Sequence, residues 1–183
     1  MHFPVDIAYR PIILLLWVKM GQNGIVKRFR GSFVIRVDDR GRIKIPAHYL
    51  STLQEQYGSN IYMTSLNGDR VYLYPLPVWE SIEQSIEKIK VRSPEIEEFI
   101  SRTSYWGNES EMDARGRILI PPELRKECGL NGCDLRIFGK IDHMLVWNEE
   151  LFKKKTFNDQ FSDEKLQIVS RLINEAAALS SDV

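Results

Sequence analysis

Residues 37–46 read V-D-D-R-G-R-I-K-I-P, and residues 112–121 read M-D-A-R-G-R-I-L-I-P, in register 75 residues apart (38 against 113). Seven of the nine positions from 38 to 46 are identical. Asp38, Arg40, Gly41, Arg42, Ile43, Ile45 and Pro46 return as Asp113, Arg115, Gly116, Arg117, Ile118, Ile120 and Pro121. With roughly one chance match in fifteen per position on average usage, so many identities mark an internal duplication.

The repeated stretch has the pattern of strand, tight turn and second strand. Phe33, Ile35 and Val37 alternate with other residues, as a half-buried strand requires. Asp-x-Arg-Gly then supplies an Asx-type turn residue and a glycine free to take positive φ. Ile43 and Ile45 resume the alternation, and Pro46 ends the strand and presets a helix start. Asp38 stands four residues before Arg42, as Asp113 does before Arg117, a spacing that suits a bidentate carboxylate–guanidinium pair.

A chain of 183 residues with one duplication divides into two halves, each small for a core of its own, so the halves are expected to pack on each other and on further subunits. With 25 basic and 25 acidic residues the whole chain carries no net charge, which gives no global pull toward nucleic acid. The charge is segregated instead. Between residues 27 and 44 seven bases, Lys27, Arg28, Arg30, Arg36, Arg40, Arg42 and Lys44, face only Asp38 and Asp39, whereas residues 80–98 hold six glutamates against three bases. Two cysteines, Cys128 and Cys133, and three scattered histidines do not make the paired soft-ligand spacing of a structural zinc. No metal and no cofactor are expected, and the cysteines read as two reduced thiols at a helix end.

Taken in order, residues 1–28 precede the repeat and are expected to form a poorly ordered extension. Their apolar run at 12–18 is far short of the ~20 residues a membrane span needs. The first repeat with its helix occupies 29–92: strands at both sides of the turn, a helix from Ala47 to about Tyr57, and a hairpin of 61–64 with 71–74 across Asn67-Gly68. It ends in an amphipathic helix from Trp79 to about Val91. Residues 93–107 read as a helical connector opened by Ser93-Pro94. The second repeat, 108–155, follows the same order, with Asn148 capping its closing helix, and 156–183 hold a C-terminal helix opened by Ser162.

These residues resemble the MraZ family, whose members carry two Asp-x-x-x-Arg motifs, each in a Leu/Val-Asp-x-Lys-Gly-Arg-x-x-x-Pro sentence. Phe29-Arg30-Gly31 also resembles the Phe-Arg-Gly that opens those proteins. Arg40 and Arg115 stand where lysine is usual, which keeps the charge and the donors. The resemblance implies an α+β fold with a β-barrel core, built from tandem AbrB-like swapped-hairpin half-barrels related by a pseudo-twofold, with flanking helices and a C-terminal helix. It implies a ring-shaped homo-oligomer above the dimer. It also implies a cytoplasmic, nucleoid-associated repressor that binds short repeated boxes in the promoter of a division and cell-wall gene cluster.

The partner is then double-stranded promoter DNA, with no membrane and no small-molecule substrate. Arg30, Arg40, Arg42, Lys44, Arg115 and Arg117 are the expected DNA contacts, because arginines repeated beside a turn can meet phosphates and guanine edges. Asp38, Gly41, Asp113 and Gly116 are expected to shape the turns. The first copy should carry more of the contact, since Arg30, Arg36 and Lys44 flank it while Glu109 and Glu111 precede the second. Two rivals remain. An antitoxin-like protein of the AbrB fold would keep the architecture and bind a toxin. An aspartic-type hydrolase would use Asp38 and Asp113 as a proton-sharing dyad, but the arginines following each would hold both ionised. No enzyme and no catalytic residue are expected.

Overall fold

A computed structural model describes residues 28–181. The expected N-terminal extension, with its apolar run, lies almost wholly outside the described residues. Eight strands and six helices alternate among those described: β1 Ser32–Ile35, β2 Arg42–Lys44, α1 Ala47–Gln56, β3 Asn60–Thr64, β4 Val71–Pro75, α2 Leu76–Glu87 and α3 Pro94–Tyr105. The second half supplies β5 Asn108–Glu111, β6 Arg117–Leu119, α4 Pro122–Glu127, β7 Leu135–Lys140, β8 His143–Asn148, α5 Glu149–Thr156 and α6 Asp163–Ser181. The described residues up to Phe152 form one compact unit, and those from Lys153 belong to another. No helix among them is long and apolar enough to cross a membrane.

Six strands form one antiparallel sheet in the order β1-β7-β8-β4-β3-β5, while β2 and β6 pair separately as a two-stranded ribbon. Exchanging each strand with its repeat-mate, β1 with β5 and so on, reproduces this order read backwards. Each half lends its first strand to the hairpin of the other: Ser32–Ile35 pairs with β7, and Asn108–Glu111 pairs with β3. The halves therefore share one core, and neither has a sheet to itself.

The expected barrel is not closed. β1 and β5 lie at opposite edges of the sheet. Past the end of β1 the chain meets the ribbon at the isolated bridge Val37↔Ile43 and at the turn bond from Asp38 N to Arg42 O. On the other side the turn bond from Asp113 N to Arg117 O plays the same part. Three-residue strands are too short to do more, because Pro46 and Pro121, which carry no N–H, follow two residues later and divert the chain into α1 and α4.

The ribbon nonetheless sits at the centre of the packing. Ile43 and Ile118 face each other across it, and both are fully buried, as are Ile45 and Ile120. Tyr49 and Leu53 of α1 and Leu124 of α4 close over the same cluster, with Phe29, Ile61, Met63, Leu73, Ile137 and Val146 from the sheet. α1 and α4 each stop near a left-handed glycine: Gly58 at φ 87° donates to Leu53 O, and past Gly129 at φ 62° Leu130 donates to Arg125 O.

α2 ends at Glu87, four residues before its expected end, because its stripe of Val78, Trp79, Ile82 and Ile86 is spent there. Ile89 and Val91 beyond it are 38% and 85% exposed, so further turns would bury almost nothing. Asn148 caps α5 as expected, its Oδ1 accepting from the backbone N–H groups of Glu150 and Leu151. Ser162 does the same for α6 through Lys165 N. Cys128 and Cys133 are free thiols at the end of α4, and burial pushes the Cys128 thiol up to about 12.

A two-turn arginine ribbon as the candidate nucleic-acid interface

Each repeated motif folds into a four-residue turn closed by a glycine in the left-handed region. Gly41 N donates to Asp38 O at 2.9 Å with φ 79°, and Gly116 N donates to Asp113 O at 2.8 Å with φ 72°. Only glycine takes this backbone without steric cost. One carboxylate then organises each turn from inside. Asp38 Oδ1 accepts the backbone N–H groups of Arg40 and Arg42, both at 2.9 Å, and Asp38 Oδ2 accepts Arg42 Nε at 2.9 Å and Nη2 at 2.7 Å. Asp113 repeats the set with Arg115 N and Arg117 N on Oδ1, and Arg117 Nε and Nη2 on Oδ2 at 2.8 and 2.7 Å.

The four-residue spacing suits a bidentate pair, and two guanidinium N–H groups do bond each carboxylate. In the structure the guanidinium fork closes on Oδ2 alone, because the turn amides occupy Oδ1. The arginine bonds and these amide bonds hold the carboxyls of Asp38 and Asp113 well below the ordinary 3.8, at about 2 each. Two carboxylates so saturated with N–H donors cannot share a proton as an aspartic dyad must. Among the described residues no group of three or more His, Cys, Asp or Glu side chains could hold a metal ion.

The ribbon brings the two turns side by side. Gly41 O accepts from Ile120 N at 3.1 Å, and Gly116 O accepts from Ile45 N at 2.8 Å. Arg42 Nη1 lies 3.7 Å from Asp113 Oδ2, an ion pair that crosses from one repeat to the other. Two sequence motifs 75 residues apart (38 against 113) are thus one surface.

Within it the arginines divide. Arg42 and Arg117 are 20% and 25% exposed and are held by their aspartates. Arg40 and Arg115 at the turn tips are exposed, and their side chains make no ion pair among the described residues. Lys44 is exposed, but the ladder sets it opposite Arg117, so it flanks the second motif and not the first as expected. Arg30 is exposed at the start of β1, beside the Phe29↔Ile141 bridge, with the turn beyond the other end of that strand. Arg36 is 77% exposed but donates from Nε to Asp134 Oδ1 at 2.6 Å, which neutralises it. The flanking charge read from sequence proximity is therefore spread along β1 and across the ribbon.

One cation at the first turn escaped the sequence reading. Arg125, from α4 of the second repeat, donates from Nε to Ile120 O at 2.9 Å and lies against Gly41: a methyl group placed there would stand 2.6 Å from Arg125 Cζ. Leu50 is its repeat-mate (50 against 125), and it lies against Gly116 in the same way. The signal was a repeat position where an aliphatic residue in one copy answers a guanidinium in the other.

The chain is similar to proteins of known family. A family model described as "MraZ protein, putative antitoxin-like" matches residues 107–173. The "Transcriptional regulator MraZ" of Acidobacterium capsulatum is 40% identical over 126 residues, covering 69% of this chain and 86% of that protein. The protein of the same name from Koribacter versatilis is 30% identical over 145 residues, 79% of this chain and 98% of its own length. A third, from Yersinia pestis, is 29% identical over 140 residues, 76% and 91% of the two chains.

Proposed function

The chain belongs to the MraZ family, and from that premise we propose that it is a transcriptional regulator that binds promoter DNA in a sequence-specific manner through the two-turn ribbon. The observation that carries the reading is the fusion of both Asp-x-x-x-Arg turns into one exposed surface with unpaired arginine tips. The similar proteins are named transcriptional regulators, which supports it. In this reading Arg40 and Arg115 reach base edges or phosphates first. Arg42 and Arg117 brace the turns and offer their remaining edge, and Lys44 neutralises phosphate beside the second turn. Arg30 joins only where the duplex runs along β1. Asp38, Gly41, Asp113 and Gly116 set the turn shape.

The exchange of first strands between halves supports an AbrB-like swapped-hairpin arrangement about a pseudo-twofold, with repeats at 29–92 and 108–155, a connector at 93–107 and a terminal helix at 156–183. The protein acts as a repressor of a division and cell-wall gene cluster, in the cytoplasm on the nucleoid. It engages short repeated boxes as a ring above the dimer, in which modest affinity per subunit is raised by effective concentration.

The test is a mobility shift with a duplex from the chain's own promoter across a salt series, against an unrelated duplex of equal length. Specific binding should weaken steeply with salt. Arg40→Ala with Arg115→Ala should lower specific affinity by about tenfold or more. Equal affinity for the two duplexes, or a double variant that binds like the parent, would sink the proposal. The antitoxin-like wording of the family description favours a second reading, in which the same chain binds a toxic protein. It predicts a small toxic gene beside this one and a stable complex between the two products.

A further inference from the structure

We infer that Arg125 is a third DNA-contacting guanidinium at the first turn, lent by the second repeat and directed at a phosphodiester oxygen; this rests on the DNA-binding reading above. Four observations carry it. Its position is fixed, since Nε is committed to Ile120 O on the ribbon at 2.9 Å. Its outer nitrogens are nearly free: Nη1 has only a long 3.4 Å approach to Asn131 Oδ1, and Nη2 donates to nothing among the described residues. The guanidinium packs on Gly41, next to the exposed tip residue Arg40, because a Cβ at Gly41 would stand 2.7 Å from Nη2.

The fourth observation is electrostatic. The first turn carries an exposed Asp39 where the second carries Ala114, a negative charge that repels phosphate on one turn only. Arg125 answers it, and the second turn, which lacks that acid, has Leu50 at the equivalent place. An oriented guanidinium with open Nη donors suits a phosphate oxygen better than a lysine's mobile charge would. With Arg125 the first turn, of Asp38, Asp39, Arg40 and Arg42, reaches the same net charge as Asp113, Arg115 and Arg117 give the second, beside which Lys44 adds one further positive charge.

The experiment measures affinity for the promoter duplex as a function of salt for the full chain, Arg125→Leu, Arg125→Lys, Arg125→Gln and Arg40→Ala. Leucine is what the scaffold already holds against the second turn, so Arg125→Leu should fold. Should its circular dichroism show otherwise, Arg125→Gln, which keeps a donor for Ile120 O without the charge, takes its place. The neutral variant should bind roughly five- to tenfold more weakly at about 0.1 M salt, and its slope of log affinity against log salt should be shallower by about one, the loss of one phosphate contact. Arg125→Lys should restore the slope while Arg125→Gln, which keeps a donor for Ile120 O but no charge, should not; a purely structural role for the Ile120 bond would let both variants bind like the parent. A neutral variant with the parent's affinity and slope, while Arg40→Ala weakens both, would overturn this inference and leave the DNA-binding reading standing. A parent chain that does not bind the promoter duplex would overturn both.

Discussion

Asp38 is the residue on which each property of the first turn depends, and its two oxygens have separate duties. Oδ1 fixes the backbone through the amides of Arg40 and Arg42, and Oδ2 fixes the Arg42 side chain. Arg42→Ala should therefore lower both DNA affinity and melting temperature, since it exposes an unpaired carboxylate on a phosphate-facing surface and removes the ion pair to Asp113 as well. Arg40→Ala should lower affinity alone. Parallel mobility shifts and thermal melts separate the two, and an Arg42→Ala protein as stable as the parent would show the brace to be idle. The pH dependence has a definite sign. With folded-state values of about 2 against an ordinary 3.8, Asp38 and Asp113 contribute stability that is fully present above about pH 4 and is lost as pH falls through 2. Asp38→Asn with Asp113→Asn should unfold with a flatter acid limb between about pH 4 and 2 than the parent, by denaturant titration. The pairing itself was legible from a four-residue spacing. Its one-oxygen geometry was not, because the backbone amides that occupy Oδ1 belong to the fold of the turn and not to the identity of the side chains.

Elements were legible wherever a local signal stood behind them. The glycine after Asp-x-Arg, the Asn-Gly of the β3–β4 turn, the proline before α1 and the polar caps of α5 and α6 each act within a few residues, and each element begins or ends where such a signal stands. Pairing between elements had no such signal. Nothing in Ser32–Ile35 announces that it will lie beside β7, a hundred residues away, or that Lys44 will face Arg117. The duplication was the one long-range clue, since a repeat that cannot bury its own core must borrow strands. The β2–β6 ribbon is where that borrowing is energetically concentrated. Ile118→Ala removes a fully buried side chain opposite Ile43 and should destabilise the protein by about 2–5 kcal/mol. Ile43→Ala should cost a similar amount, and the double variant less than the sum, because the two deletions open one shared cavity. Strict additivity in urea titrations would mean that the halves hold separate cores after all.

At the scale of the whole molecule, the shared core changes why assembly is expected. Undersized halves were the first motive, yet the buried cluster runs from Phe29 to Val146 through both repeats and is complete within one chain. The remaining motive is α6. Its 19 residues extend for about 28 Å at the usual rise per residue. On one chain Leu166, Ile168, Val169 and Ile173 are 54%, 50%, 42% and 62% exposed. An apolar stripe of this length is stable in water only when something covers it, and none of the core cluster lies in the helix. A chain truncated after Phe161 should therefore retain the melting behaviour of the repeat core while its assembly falls to smaller species, measured by light scattering after size exclusion. The DNA consequence follows from multivalency. If several ribbons engage several boxes, the truncated protein should lose apparent affinity for a duplex carrying repeated boxes by far more than for a duplex carrying one. Equal losses on the two duplexes would place α6 in the fold or in direct DNA contact. An unchanged assembly mass would assign oligomerisation to the repeat core, where the edge strands β1 and β5 would be the surfaces to examine next.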